Sequence, residues 1–344
     1  MPSIITNTSL KPYNTFGINV NARYFTVLSA PEHLQDLIHS DLFKHERRLI
    51  LGSGSNVLFT GDFNGLVMKN ELKGIAIVAE NDEKLELKVS SGEIWHELVA
   101  YCVARNWGGI ENLSLIPGTT GAAPMQNIGA YGVEVKDCIK EVEAIDLSNG
   151  NIISFTNQQC AFGYRESVFK HSLKEKFFIS SITLTLTKKN HRYNINYGAI
   201  QDVLRTQHHN EISLRSISES VIQIRRSKLP DPAHIGNAGS FFKNPTIDEN
   251  LYSNLKKEHP TIPGYFSVNQ EVKVPAAWLI EQCGWKGKRI REVGVHTQQA
   301  LVLVNYGDGK GNEIVDLAMQ ISSSVKEKFQ ITLTPEVNII SGDE

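Results

Sequence analysis

Short apolar runs alternate along the chain with segments whose apolar positions fall three and four residues apart, so strands and helices interleave throughout. Residues 24–28 predict a strand, after which Pro31 opens a helix carrying Leu34, Leu37 and Ile38 on one face. Residues 49–51 form a short apolar strand that runs into Gly52-Ser53-Gly54-Ser55-Asn56. Strands over 75–79 and 85–89 precede a helix over 94–105. Residues 142–146 and 152–155 flank Ser148-Asn149-Gly150, a hairpin signal because Asn-Gly tolerates positive φ. Ile182, Leu184 and Leu186 alternate with threonines, which predicts a half-buried strand. Residues 191–226 are polar and mostly helical, and end in the turn-forming Leu229-Pro230-Asp231-Pro232. A last stretch holds a helix near 276–282, a strand at 300–304, a helix over 313–329 and a final strand over 331–340. The pattern predicts an α+β protein of three units, with the last strand returning to the first unit.

The composition fits several cores. The chain has 344 residues, 41% of them hydrophobic, and a formal net charge of -2, which offers no whole-protein attraction to nucleic acid. The basic clusters Arg225-Arg226 with Lys228, and Lys286, Lys288, Arg289 and Arg291, are solvated faces or anchors for small anions. The cysteines, Cys102, Cys138, Cys160 and Cys283, form no CxxC pair, so reduced thiols are expected in place of zinc or disulfides. The N-terminal residues lack a basic patch followed by an apolar stretch, and no apolar run approaches the ~18 residues needed to span a bilayer. A soluble cytoplasmic protein without a membrane partner is expected.

Two glycine loops dominate the first half: residues 51–58, and residues 116–132 with the order Ile-Pro-Gly-Thr-Thr-Gly-Ala-Ala-Pro-Met-Gln-Asn-Ile-Gly-Ala-Tyr-Gly. Glycine lets the backbone pass close to a ligand, so that successive N–H groups can converge on phosphate oxygens. Ser53, Ser55, Asn56, Thr119, Thr120 and Asn127 add short hydrogen-bonding side chains. Val57 occupies the third glycine position of a GxGxxG begun by Gly52 and Gly54, so a Rossmann fingerprint is incomplete, and no GxxxxGK[ST] occurs.

Together with Asn14-Thr15-Phe16-Gly17, these loops resemble the FAD-binding unit of the UDP-N-acetylenolpyruvoylglucosamine reductase family, which has the p-cresol methylhydroxylase-type fold. The resemblance continues through residues 162–170, 228–232, 236–245, 275–283 and 334–337, in matching order over nearly the whole chain. It implies FAD-binding subdomains at 1–72, joined by 331–344, and at 73–228, with a substrate-binding domain at 229–330. Ser53 stands where the family usually has a third consecutive glycine, and Thr120 and Ala122-Ala123 where other small residues are common. Asn338 replaces an arginine that some members carry, so an auxiliary cation is absent there.

The implied reaction reduces the enolpyruvyl ether of a UDP-sugar to a lactyl ether. It needs a hydride source, a cation for the charge growing on the carboxylate, and an acid for the carbanion. The resemblance implies noncovalent FAD, NADPH as reductant, and a monomer. It assigns Arg165 as the cation, Ser240 as the proton donor, and Glu336 either as a protonated acid on the carboxylate or as an anion orienting Arg165 or a water. FAD contacts are expected from Gly52, Ser53, Gly54, Ser55, Asn56, Pro117, Gly118, Thr119, Thr120, Gly121, Asn127 and Gly129. Arg225 is placed near the flavin, although a solvated helix face accounts for it nearly as well. Lys228, Asn244 and Gln282 are expected at the UDP-sugar, and Tyr197 is expected to close over it, as in the subgroup that has this tyrosine loop. Two other enzyme classes compete: a flavin oxidase of the same fold, and an SxxK acyl-transfer enzyme suggested by Ser240-Phe241-Phe242-Lys243. The second lacks SDN and KTG motifs.

Overall fold

The computed structural model describes residues 2–206, 211–267 and 269–342. The chain forms two compact units of interleaved sequence: Met1–Thr8, Ala22–Ser53 and Asn64–Arg225 in the first, and Ser9–Asn21, Gly54–Phe63 and Arg226–Glu344 in the second.

The first unit is built on two sheets. Four strands run in the order Ile4–Ser9, Asn21–Leu28, Phe63–Asn70, Arg48–Leu51. The last two are parallel, with Leu51 opposite Lys69. The expected helix forms over Pro31–Ile38, starting at its proline, and buries Leu34, Leu37 and Ile38. These pack with Phe43, Leu66, Met68 and Phe178 in one apolar cluster. Five antiparallel strands make the second sheet, in the order Ile152–Thr156, Ile139–Asp146, Phe177–Thr187, Lys84–Ser90, Ile75–Glu80. The Asn-Gly hairpin closes as expected: Gly150 has φ +79°, and the Ser148 amide and hydroxyl donate to the Asp146 carboxylate. The helix Trp95–Ala104 packs Trp95, Leu98, Val99 and Cys102 against this sheet.

One expectation changes here. The strand Phe177–Thr187 is central, between Ile139–Asp146 and Lys84–Ser90, so Ser181 and Thr183 are buried as well as Ile182 and Leu184. Thr185 and Thr187 are half-buried, so the expected half-buried face holds over the end of the strand, and burial on both faces covers residues 181–184. Of the polar stretch 191–226, Gly198–Thr206 and Leu214–Lys228 are helical, and residues 207–210 lie outside the described residues.

The second unit carries a four-stranded sheet in the order Gly236–Ser240, Val302–Asn305, Val293–Val295, Arg289–Ile290, with helices Ala276–Gln282 and Gly311–Phe329. Its last strand is shorter than expected. Only Asn338–Ile340 is a strand, and it pairs in parallel with Val57–Phe59. Residues 331–337 do not continue it, and Pro335, with no N–H to donate, makes only an isolated antiparallel bridge to Phe242. They run beside residues 241–243 instead: the Glu336 amide donates to the Phe241 carbonyl (2.7 Å) and the Lys243 amide to that of Thr334 (2.9 Å). Glu336 therefore sits on an irregular segment and not within a strand.

Candidate active site

In the first unit the two glycine loops meet at Gly52 and Thr119. A β-carbon on Gly52 would lie 2.8 Å from the Thr119 hydroxyl oxygen, so a side chain there would force Thr119 to turn away. Gly118 takes φ +124°, and its carbonyl accepts the Trp95 amide (3.0 Å), which ties the second loop to the start of the Trp95–Ala104 helix. The expectation that successive amides of this loop face a ligand is corrected at two positions. The Thr120 amide and hydroxyl both donate to the Glu93 carbonyl (2.8 and 3.1 Å), and the Gly121 amide donates to the Ser91 carbonyl (2.8 Å). Thr120 and Gly121 thus hold the loop in shape, while exposed Pro117 and half-buried Gly118 form its outer turn. The close approach of the loops at Gly52, with the small residues Ser53 and Thr119 beside it, fits a dinucleotide passing over backbone.

Arg165 occupies a tight turn closed by the reciprocal backbone bonds of Gly163 and Glu166 (3.0 and 3.3 Å). It has φ +57°, a conformation that costs a non-glycine residue about 1–3 kcal/mol and gathers at functional sites. Its guanidinium donates to the Gly129 carbonyl (3.1 Å). Gly129 pairs with Glu134 in a two-residue hairpin whose turn residues, Tyr131 and Gly132, have φ +51° and +81°. Both positive values are those of a type I′ turn, which matches the twist of a hairpin.

That turn sets Tyr131 between two assigned residues. Its ring meets Tyr197 edge-on, with centroids 5.2 Å apart, and its hydroxyl is hydrogen-bonded to Arg225. Burial pushes the Tyr131 phenol above its ordinary value. Burial also holds the Arg225 guanidinium below its usual range, and the Arg165 charge pushes the same way. Arg225 also donates to the Leu115 carbonyl (3.1 Å). It is therefore a half-buried cation held against the second glycine loop, and not a fully solvated one. Two guanidiniums within electrostatic reach, one of them partly desolvated, make a strongly anion-attracting surface.

Sequence reasoning missed Tyr131, although the pair of residues before Val133 is a turn signal in itself. It also missed Asn194, whose side chain donates to the Gly132 carbonyl (3.0 Å) and whose own carbonyl accepts from Asn112 (2.8 Å). These bonds fasten the segment leading to exposed Tyr197 onto the hairpin.

In the second unit Asn14 pins its own loop by donating to the Leu10 and Ile18 carbonyls (2.8 and 3.0 Å). The Thr15 amide donates to the Gly54 carbonyl (3.1 Å), and the Asn237 amide to the Thr15 carbonyl (3.0 Å). Residues 14–17 thus strap Gly54-Ser55-Asn56 to the strand Gly236–Ser240, at whose end half-buried Ser240 lies. Glu336 is half-buried, and its carbonyl accepts from the Asn56 side chain (3.3 Å). Asn338 closes on the same loop: its amide and side chain both donate to the Asn56 carbonyl (3.1 and 3.0 Å).

Lys228 ends its helix exposed. The Asn244 Oδ1 accepts the Ala276 amide (2.9 Å), which ties this side chain to the start of the helix Ala276–Gln282 and leaves its amide nitrogen and a second lone pair. Gln282 is exposed at the end of that helix, and its carbonyl accepts from Lys328 (2.6 Å). Among the described residues no group of three or more His, Cys, Asp or Glu could hold a metal ion, and no helix is long and apolar enough to cross a membrane.

An α+β chain with a glycine-loop unit and a separate serine-bearing unit has the make-up of a flavin-binding reductase, and sequence comparison agrees. Residues 24–156 match the FAD binding domain family, and residues 231–340 match the family described as UDP-N-acetylenolpyruvoylglucosamine reductase, C-terminal domain. The reductase of Amoebophilus asiaticus bearing that name is 48% identical, over 97% of this chain and 98% of its own. That of Flavobacterium johnsoniae is 45% identical, over 98% and 99%. The crystal structure of UDP-N-acetylenolpyruvylglucosamine reductase from Thermus caldophilus shares the fold, with a TM-score of 0.67 over 98% of both chains at 20% identity. The chain belongs to the UDP-N-acetylenolpyruvoylglucosamine reductase family.

Proposed function

We propose that this protein reduces UDP-N-acetylenolpyruvoylglucosamine to UDP-N-acetylmuramate, with FAD as cofactor and NADPH as reductant, in the synthesis of peptidoglycan precursors. FAD, when bound, supplies the hydride that no side chain can. Gly52, Ser53, Pro117, Gly118 and Thr119 would hold it in the first unit, with Arg225 as their half-buried cation. Gly54, Ser55 and Asn56 are proposed for the same task.

The chain's own residues do the rest. Arg165 stays charged and can pair two-pronged with the substrate carboxylate, where negative charge grows as the double bond is reduced. Ser240 delivers a proton to the adjacent carbon. Glu336 either donates to the carboxylate when protonated or orients Arg165 or a water when ionised. Lys228, the Asn244 amide and Gln282 anchor the UDP-sugar, and Tyr197 closes over it, as in the subgroup that has this tyrosine loop. By role, residues 1–72, 73–228 and 331–344 serve the flavin and 229–330 the sugar nucleotide. The protein works as a cytoplasmic monomer.

The observation that carries this reading is the pair of guanidiniums, Arg165 on a strained turn and Arg225 partly desolvated within its electrostatic reach, at the glycine loop of a unit matched to FAD binding. Purified protein should be yellow, release FAD on acid precipitation, and oxidise NADPH rapidly only when the enolpyruvyl UDP-sugar is present. Colourless protein that FAD cannot reconstitute, or NADPH oxidation indifferent to the sugar nucleotide, refutes it.

A further inference from the structure

Asn127 lies in the second glycine loop, with the short side chain expected of a phosphate ligand. Its surroundings assign it otherwise. It is fully buried and has φ +45°. Its amide nitrogen donates to the Gly163 carbonyl (2.9 Å) and to the Glu134 carboxylate (3.0 Å), and its Oδ1 accepts the Lys136 amide (3.1 Å). Both donor protons and an acceptor lone pair are spent inside the protein, which leaves little for a ligand.

What these bonds hold is the base of the Arg165 turn. Gly163 is one of the two residues whose reciprocal backbone bonds close that turn. Glu134 faces Gly129 across the small hairpin, and the Gly129 carbonyl receives the Arg165 guanidinium. One side chain therefore fixes both ends of the arginine: the backbone that holds it at φ +57°, and the strand carrying its carbonyl partner. Left to itself, a non-glycine residue leaves positive φ, because the conformation crowds its β-carbon. Something must oppose that relaxation, and the Asn127 bracket is placed to do so.

We infer that Asn127 is a positioning residue for Arg165 and not a ligand of the flavin. The inference rests on the role proposed above for Arg165. Asn127→Asp is the discriminating change, because it keeps the acceptor for Lys136 and turns the donor side into an oxygen facing Glu134 and the Gly163 carbonyl.

The expected result has three parts. FAD affinity, titrated on apoprotein by flavin fluorescence, stays within about threefold, the size of a small indirect effect. The rate of flavin bleaching by NADPH is unchanged. Reoxidation at saturating enolpyruvyl UDP-sugar slows about 10- to 100-fold, the scale of a misplaced catalytic group, while the half-saturating sugar concentration moves little. In an Arg165→Lys background, where the guanidinium is already gone, Asn127→Asp should slow reoxidation by less than about threefold more.

Loss of FAD affinity, with normal half-reactions once flavin is saturating, would make Asn127 a flavin ligand and overturn the inference. Equal slowing in the wild-type and Arg165→Lys backgrounds would overturn it too. Should the carboxylate prevent folding, Asn127→Ser keeps one donor and no charge and carries the same comparison. Failure of both to yield folded holoenzyme would show a bracket needed by the whole unit, and the specific role would fall. Wild-type enzyme that ignores the enolpyruvyl substrate would sink the functional reading first, and is scored separately.

Discussion

Gly54 and Tyr13 approach so closely that a β-carbon on Gly54 would stand 2.0 Å from the Tyr13 carbonyl oxygen. Gly54 also has φ +65°, so steric and conformational demands coincide. Gly17 has a similar φ of +67° with open space around it. Gly54→Ala should destabilise by at least about 2 kcal/mol, because backbone must move, and should weaken FAD binding. Gly17→Ala should cost about 1 kcal/mol, the conformational part alone. Denaturant titrations of the two variants measure the difference, and equal losses would mean that the close approach is not maintained in solution.

Ser240 separates the two half-reactions. Bleaching by NADPH needs no proton on the enolpyruvyl carbon, whereas reduction of the UDP-sugar does. Ser240→Ala should bind FAD and bleach at a near-normal rate, yet reoxidise ~10²–10⁴-fold more slowly with substrate. Ser240→Cys should recover part of that loss. Stopped-flow absorbance resolves both phases, and equal slowing of the two would remove Ser240 from proton transfer.

Asn194 and Tyr197 should act on sugar-nucleotide affinity. Asn194→Ala frees the tyrosine segment from the Gly132 carbonyl and should raise the Kd for the UDP-sugar about 3- to 10-fold, the worth of one hydrogen bond. Tyr197→Phe keeps the edge-on contact with Tyr131 and should be milder. Lys228→Ala should weaken binding with flavin content intact. Perturbation of flavin absorbance on titration with substrate reports all three, and unchanged affinity throughout would place this segment outside the site.

Burial pushes the Cys102, Cys138 and Cys160 thiols up to about 12. At pH 8 a thiol-directed disulfide reagent should therefore modify at most Cys283 in native protein, and all four cysteines after unfolding. The stability consequence has a definite sign. The unfolded thiols ionise near 9 and the folded ones do not, so the unfolded state loses protons first. The contribution is complete below pH 9 and is lost as pH rises from there towards 12, by about 1.4 kcal/mol per pH unit for each thiol. A melting temperature that holds steady from pH 9 to 11 would contradict this burial.

The local elements were legible because their signals were local. Pro31 begins its helix, Asn149-Gly150 turns its hairpin, and the apolar spacing of the last helix marks it, since each depends on residues a few positions apart. The site residues were legible mainly as ordered motifs. What they do to one another was not: that Asn127 serves Gly163, and that Tyr131 bridges Arg225 and Tyr197, are contacts over 36 to 94 positions that no periodicity encodes. Thr120 and Gly121 misled for the same reason, because the carbonyls that take their amides belong to Glu93 and Ser91, outside the loop. Pro335 alone warned against reading residues 331–340 as one strand.

The parallel pairing of Asn338–Ile340 with Val57–Phe59 has a temporal consequence. A ribosome delivers residues 57–59 long before their partners, and the second unit also includes Ser9–Asn21. The strand over 57–59 must therefore wait without this partner until residues 338–340 have been made. The strand over 57–59 is thus exposed to other chains throughout synthesis, and a gene cut near codon 230 would yield two fragments, neither holding all of the second unit. A trimmed C-terminus should then betray itself as aggregation of nascent protein before any loss of catalysis could be measured.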